Sequence, residues 1–241
     1  MGIGYAVSPL HRMIFIDQAS IPESADARFA FPIPRGFRAT PWSEIEKHLY
    51  SPTIPDIVAW RAKLSEKYRS QLLEPLIWDE NSAFETSEDV ATHADVLLRY
   101  VAALLDRQGA AEAAQLLFSR DDVPGEDIQR ECAIAAGRGF AGAYPQLLLD
   151  TAFWFPFERD FIIEEPDWGG RVERFGSAGH LVQELEEIRN FIRHAEPSAT
   201  AWAPDRDDPP TVLGQVWQCS ETIYRLAVAA TRRRLPLWTT G

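Results

Sequence analysis

The stretch from Phe153 to His194 constrains the fold of this chain more than any other. It reads FWFPFERDFIIEEPDWGGRVERFGSAGHLVQELEEIRNFIRH. Its second half is an amphipathic helix. Leu181, Val182, Leu185, Ile188, Phe191 and Ile192 recur at steps of three and four and fall on one face. Glu184, Glu186, Glu187, Arg189 and Asn190 are expected on the opposite, solvated face. Ser177 is placed to cap the first turn, and Arg189, Arg193 and His194 suit the negative pole of the helix dipole. Ahead of the helix, Phe153–Phe157 and Phe161–Ile163 are strand candidates. Glu164-Glu165-Pro166-Asp167 reads as an acidic turn. Arg171–Phe175 is the expected partner strand across the Trp168-Gly169-Gly170 turn.

The rest of the chain is mostly helical in pattern. Residues 1–41 read as irregular with short strands, at Met13–Ile16 and Arg28–Phe31, because Pro32, Pro34 and Pro41 forbid a long helix. Pro55 suits the first turn of a helix carrying Ile57, Trp60, Leu64 and Tyr68. Residues 87–119 read as a helical hairpin broken at Gly109 and capped at Thr86 or Ser87. A turn at Asp121–Gly125 leads to a helix ending near Gly137-Arg138-Gly139, and a short helix follows from Pro145 to Thr151. Residues 195–210 form a polar linker. A last helix runs from Val212 to Arg234, with Leu235–Trp238 as a short edge segment. The expected fold is therefore mainly α with a few short strands, an α+β fold in one globular domain spanning residues 1–241.

Charge narrows the partners. The formal net charge is -12. Residues 1–75 are close to neutral, so the excess of acid lies in the remainder. Nucleic acid and anionic membrane are unsuitable partners for such a surface, and a basic protein is the complementary one. No apolar run is long enough to span a bilayer, and no secretory leader pattern stands at the start, so the cytoplasm is the expected compartment. Cys132 and Cys219 lie far apart in helical patterns and are expected as buried free thiols.

Each motif that suggests chemistry has a simpler structural reading. Gly137–Gly142 matches GxGxxG, but helix rather than strand precedes it, so it is expected to be a helix-to-helix turn. Gly176-Ser177-Ala178-Gly179 falls one glycine short of GxSxG, and helix capping accounts for the serine. His180, Glu184 and Glu187 are spaced along one helix side, without the HExxH pattern. No calcium-loop spacing is present among the acids. Neither a metal nor a cofactor is implied.

The acids Glu158, Asp160, Glu164, Glu165 and Asp167, with Trp168 beside them, are the candidate partner-binding residues. They form an acidic ridge with an aromatic anchor. A second acidic set is Asp205, Asp207 and Asp208. Trp154-Phe155-Pro156, Glu164-Glu165, Gly176-Ser177 and the Leu181–Ile188 run LVQELEEI together resemble an arrangement in bacterial immunity proteins of polymorphic toxin systems. The resemblance covers about forty residues. It implies a cytoplasmic, non-enzymatic protein that binds and blocks a toxin domain. Two other readings are a hydrolase using Ser177, His180 and Glu184, and a helical scaffold module built on the 87–119 hairpin.

Overall fold

The computed structural model describes residues 2–12, 15–16, 49–50, 52–72, 74–168, 170, 172–201 and 211–240. Arg28–Phe31, Trp202 and the acids Asp205, Asp207 and Asp208 lie outside the described residues, as do Met13 and Ile14. Eight α-helices occur among the described residues: α1 (Ile54–Lys67), α2 (Arg69–Leu72), α3 (Thr92–Gln108), α4 (Ala110–Leu117), α5 (Gly125–Ala136), α6 (Pro145–Leu148), α7 (Ala178–Ala195) and α8 (Val212–Arg233). The strands are β1 (Gly2–Val7), β2 (Phe15–Ile16), β3 (Leu49–Tyr50), β4 (Thr86–Ala91), β5 (Phe153–Phe155), β6 (Ile163–Pro166), β7 (Val172–Ser177) and β8 (Leu237–Thr240). The fold is α+β and mainly helical, as expected.

Six strands form one mixed sheet in the order β4-β1-β8-β5-β7-β6, and β2 pairs with β3 apart from it. Only β5 and β7 run parallel in the large sheet. Three expectations change here. The segment 86–91 is a strand rather than the start of a helix, because it pairs with β1 from Thr86↔Val7 to Ala91↔Gly2. Helix α3 therefore begins at Thr92, and the expected hairpin is shorter by that strand. The Leu235–Trp238 segment is not at an edge, since β8 lies between β1 and β5 in the middle of the sheet. Finally, Glu164-Glu165-Pro166 is strand rather than turn, paired with Arg174, Glu173 and Val172 of β7. Pro166 is tolerated because β6 is an edge strand.

Alternation along the strands divides the core into two layers. On one face, Tyr5, Val7, Val90, Trp154 and Leu237 meet the apolar stripes of α3, α7 and α8. On the other face, Phe153, Phe155, Phe161, Ile163 and Phe175 meet Ile57, Trp60 and Leu64 of α1, with Leu76 and Trp78. This second layer is dense in aromatic rings. Phe155 stacks on Phe175 at 5.4 Å and on Trp78 at 5.1 Å.

The helix boundaries follow from local chemistry. Thr53 and Asp56 form a capping box at the start of α1, with Pro55 in its first turn. Gly109, at φ 81°, ends α3 in a conformation that side chains resist. Thr211 caps α8 by accepting the Gly214 N–H at 3.2 Å. Residues 137–142 join α5 to the following short turn as a helix-to-helix connection, as expected for the glycine motif there. No helix among the described residues is long and apolar enough to cross a membrane.

Candidate partner-binding site

The sequence-derived residues occupy the β5–β6 loop, strand β6 and the turn after it. The structure divides them into an outward and an inward set. Glu158 is exposed. The side chains of Asp160 and Glu164 are 58% and 56% exposed. Glu164 meets Arg174 Nε of the neighbouring strand at 3.0 Å, an exposed pair that adds little stability.

Glu165 faces the other way. It accepts hydrogen bonds from Lys67 Nζ and the Tyr68 hydroxyl at the end of α1. Those two bonds hold its carboxyl below the ordinary carboxylate value. Asp167 is buried. Trp168 is half-buried, edge-on to Trp60 at 5.1 Å and to Phe153 at 5.8 Å. It closes the rim of the aromatic layer. Of the six, then, Glu158, Asp160 and Glu164 present their carboxylates outward.

The loop that carries Glu158 and Asp160 is tied down along its length. The carbonyl of Phe157 accepts two hydrogen bonds, from Ser177 Oγ at 2.7 Å and from the Gly179 N–H at 2.8 Å. The contact requires glycine at 179. A Cβ there would lie 2.4 Å from Glu158 Cα and 2.5 Å from the Phe157 oxygen. At the far end, the fully buried Gln146 amide takes over. Its Nε2 donates to the Phe161 carbonyl at 3.1 Å and reaches Asp160 Oδ1 at 3.4 Å. Its Oε1 accepts the Ser177 N–H at 3.0 Å. His180 Nδ1 lies 2.6 Å from Asp160 Oδ1. Sequence reasoning missed Gln146. Its one signal was a polar residue inside an otherwise apolar short helix, Pro145-Gln146-Leu147-Leu148.

Glu184 was expected on the solvated face of α7, but it is 2% exposed. The reason is a local demand for acceptors. Its two oxygens take the N–H groups of Gln146 at 2.8 Å and Leu147 at 3.1 Å, the orphan donors of the α6 start. Burial drives its carboxyl well above the ordinary value. The two N–H donors oppose that rise, and the acids Asp160 and Glu187 add to it. Burial first, and then the Glu187 carboxylate bonded to it, likewise raise the Tyr144 phenol.

Ser177, His180 and Glu184 all come to this junction, but not as nucleophile, base and acid. Ser177 caps α7 by accepting the His180 N–H at 3.2 Å. Its backbone is extended at φ -111°, not strained as in a strand-to-helix nucleophile elbow. Its hydroxyl proton goes to the Phe157 carbonyl rather than to an imidazole. His180 faces Asp160, and Glu184 faces α6. The thiols are similarly quiet: Cys219 is buried, Cys132 is half-buried, and burial raises Cys132 to about 11.

A groove of about 360 Å³ runs beside α1, between Val58, Ala62, Ser65 and the segment Glu74–Ile77. Its charges balance, with Arg61 and Arg69 against Glu66 and Glu74. Among the described residues no group of three or more His, Cys, Asp or Glu side chains is arranged to hold a metal ion. In comparisons with known proteins, no family model, no curated protein and no solved structure matches this chain.

Proposed function

We propose that this is a non-enzymatic binding protein that captures and neutralises a basic partner protein in the cytoplasm, in the manner of immunity proteins that block a toxin effector. The observation that carries this reading is the outward set Glu158, Asp160 and Glu164, on a loop and strand anchored from beneath by Ser177, Gly179 and Gln146. A chain with a net charge of -12 attracts a basic partner over a distance. A loop already held in place loses little freedom on contact, so more of the interaction energy appears as affinity.

The same anchoring weighs against the hydrolase reading, because it engages Ser177 and Glu184 in holding the loop and α6. The helical-scaffold reading has less support, since α3 packs into a sheet-based core rather than into an array of helix pairs.

The test is a tagged capture from the source cell at low and moderate salt, followed by mass spectrometry. A basic protein retained near stoichiometry, and lost in the triple variant E158K/D160K/E164K, supports the reading. Retention of that protein by the triple variant overturns this surface as the contact.

A further inference from the structure

Arginines in the body of the fold are held by acids: Arg99 by Asp95, Arg107 by Glu131, Arg138 by Asp106 and Arg225 by Glu88. Arg159, Arg232 and Arg234 are not. All three are exposed, and none meets a carboxylate among the described residues. The sheet brings them to one end. Leu237, the first residue of β8, pairs with Trp154 of the antiparallel β5. The chain entering β8 from α8 and the chain leaving β5 for the 157–161 loop therefore lie at the same end of neighbouring strands. Acids at this end are mostly engaged. Glu85, just before β4, meets Arg12, and Asp160 lies against His180, which leaves Glu158.

The dipole of α8 favours cations at its last turn and so accounts in part for Arg232 and Arg233. It does not account for Arg159, which comes from another element. Nor does it account for Arg234, which caps α8 in the left-handed region at φ 52°, where glycine would sit without strain. Arg233 is steadied over the Phe84 ring, 4.7 Å from its centroid. We propose that Arg159, Arg232 and Arg234 receive acidic side chains of a partner protein, beside Glu158, so that the contact face is of mixed charge. A guanidinium binds a carboxylate through paired N–H donors, and three stand here without one. A chain of net charge -12 repels polyanions at long range, so these arginines act only within a Debye length, about 8–10 Å at moderate salt. They select among partners that net charge has already drawn in. A uniformly basic face is penalised, and one with acids set among its bases is favoured. This selection rests on the binding role proposed above, but the arginine surface is testable without it.

The test is a titration of the full chain with an oligoglutamate peptide at about 0.1 M salt, reading the arginine Nε–H signals by NMR. Arg159, Arg232 and Arg234 are expected to shift, while Arg193, near the opposite end of α7, stays still. R232S/R234S should weaken the peptide about fivefold, as the loss of two exposed ion pairs allows, and R193S should leave its affinity unchanged. Four results would each overturn the proposal: shifts at Arg193 as large as at Arg234, an unchanged affinity in the double variant, an oligolysine peptide that moves the same signals, or an oligothymidine of equal charge that binds more tightly than the oligoglutamate. The two readings fail separately. Peptide binding at these arginines without any captured protein keeps the surface and removes the neutralising role, and capture of a basic protein without peptide binding does the reverse.

Discussion

The indole N–H of Trp60 donates to the carbonyl of Pro166 at 2.8 Å, joining residues 106 apart in sequence. The bond pins the end of the acidic edge strand to α1, and the Trp60 ring packs against Trp168, Phe155 and Phe175. Replacing Trp60 by Phe keeps an aromatic ring but removes the donor and leaves a small void. The expected loss is about 2–3 kcal/mol, read as a lower denaturant midpoint at unchanged slope.

Gly179 reverses the usual sign of a helix substitution. Alanine normally stabilises a helical site by about 1 kcal/mol over glycine. In G179A the new methyl meets the backbone of Glu158 and Phe157, neither of which can swing aside. A net loss of about 2 kcal/mol or more is expected. At Gly125, where nothing lies within 4 Å of an added Cβ, the same change should be neutral or stabilising. In thermal melts G179A should therefore fall below the wild type, and the alanine variant at Gly125 should not.

Glu165 makes the protein acid-sensitive. Its bonds to Lys67 and Tyr68 lower its folded-state value below that of the unfolded chain. The stability it contributes is whole above the unfolded value, and is lost as pH falls through the folded one. K67M removes the largest cause of the shift, so its stability should fall less steeply, and by a smaller amount, on acidification than that of the wild type. Parallel profiles for K67M and wild type would show that the pair is not felt in solution.

Tyr5 is the buried counterpart. Its hydroxyl donates to Asp95 Oδ1 at 2.5 Å, and Arg99 Nε meets the other carboxylate oxygen at 3.1 Å. Y5F leaves Asp95 short of one donor inside the core. The expected cost is about 1.5–3 kcal/mol by chemical denaturation. Burial, and then Asp95, push the phenol well above its ordinary value. In an alkaline absorbance titration Tyr5 should ionise only as the protein unfolds.

Much of the fold was legible from local signals. Ser177 as cap, Gly109 as stop and the α7 stripe all depend on residues a few positions apart, and such signals survive in a single sequence. What stayed hidden was set at long range. Thr86–Ala91 has a composition that permits a helix start, and only pairing with β1 makes it a strand. Glu184 looked solvated because its neighbours Glu186 and Glu187 are, yet the orphan donors of a distant four-residue helix draw it inside. Asp167 and Glu165 looked like members of one acidic ridge. Strand alternation and the end of α1 separate them from Glu158, Asp160 and Glu164.

The central strand β8 has a mechanical consequence. Its register with β1 spans four residue pairs, but with β5 it spans only Phe153↔Trp238 and Trp154↔Leu237. The sheet is thus two three-stranded leaves stitched along a two-pair seam. A partial opening along that seam breaks far less of the ladder than one between β1 and β4, where six pairs would have to part. Under load or mild denaturant the protein should tear there first, along a line running between the leaf that bears the acidic loop and the leaf that bears β1.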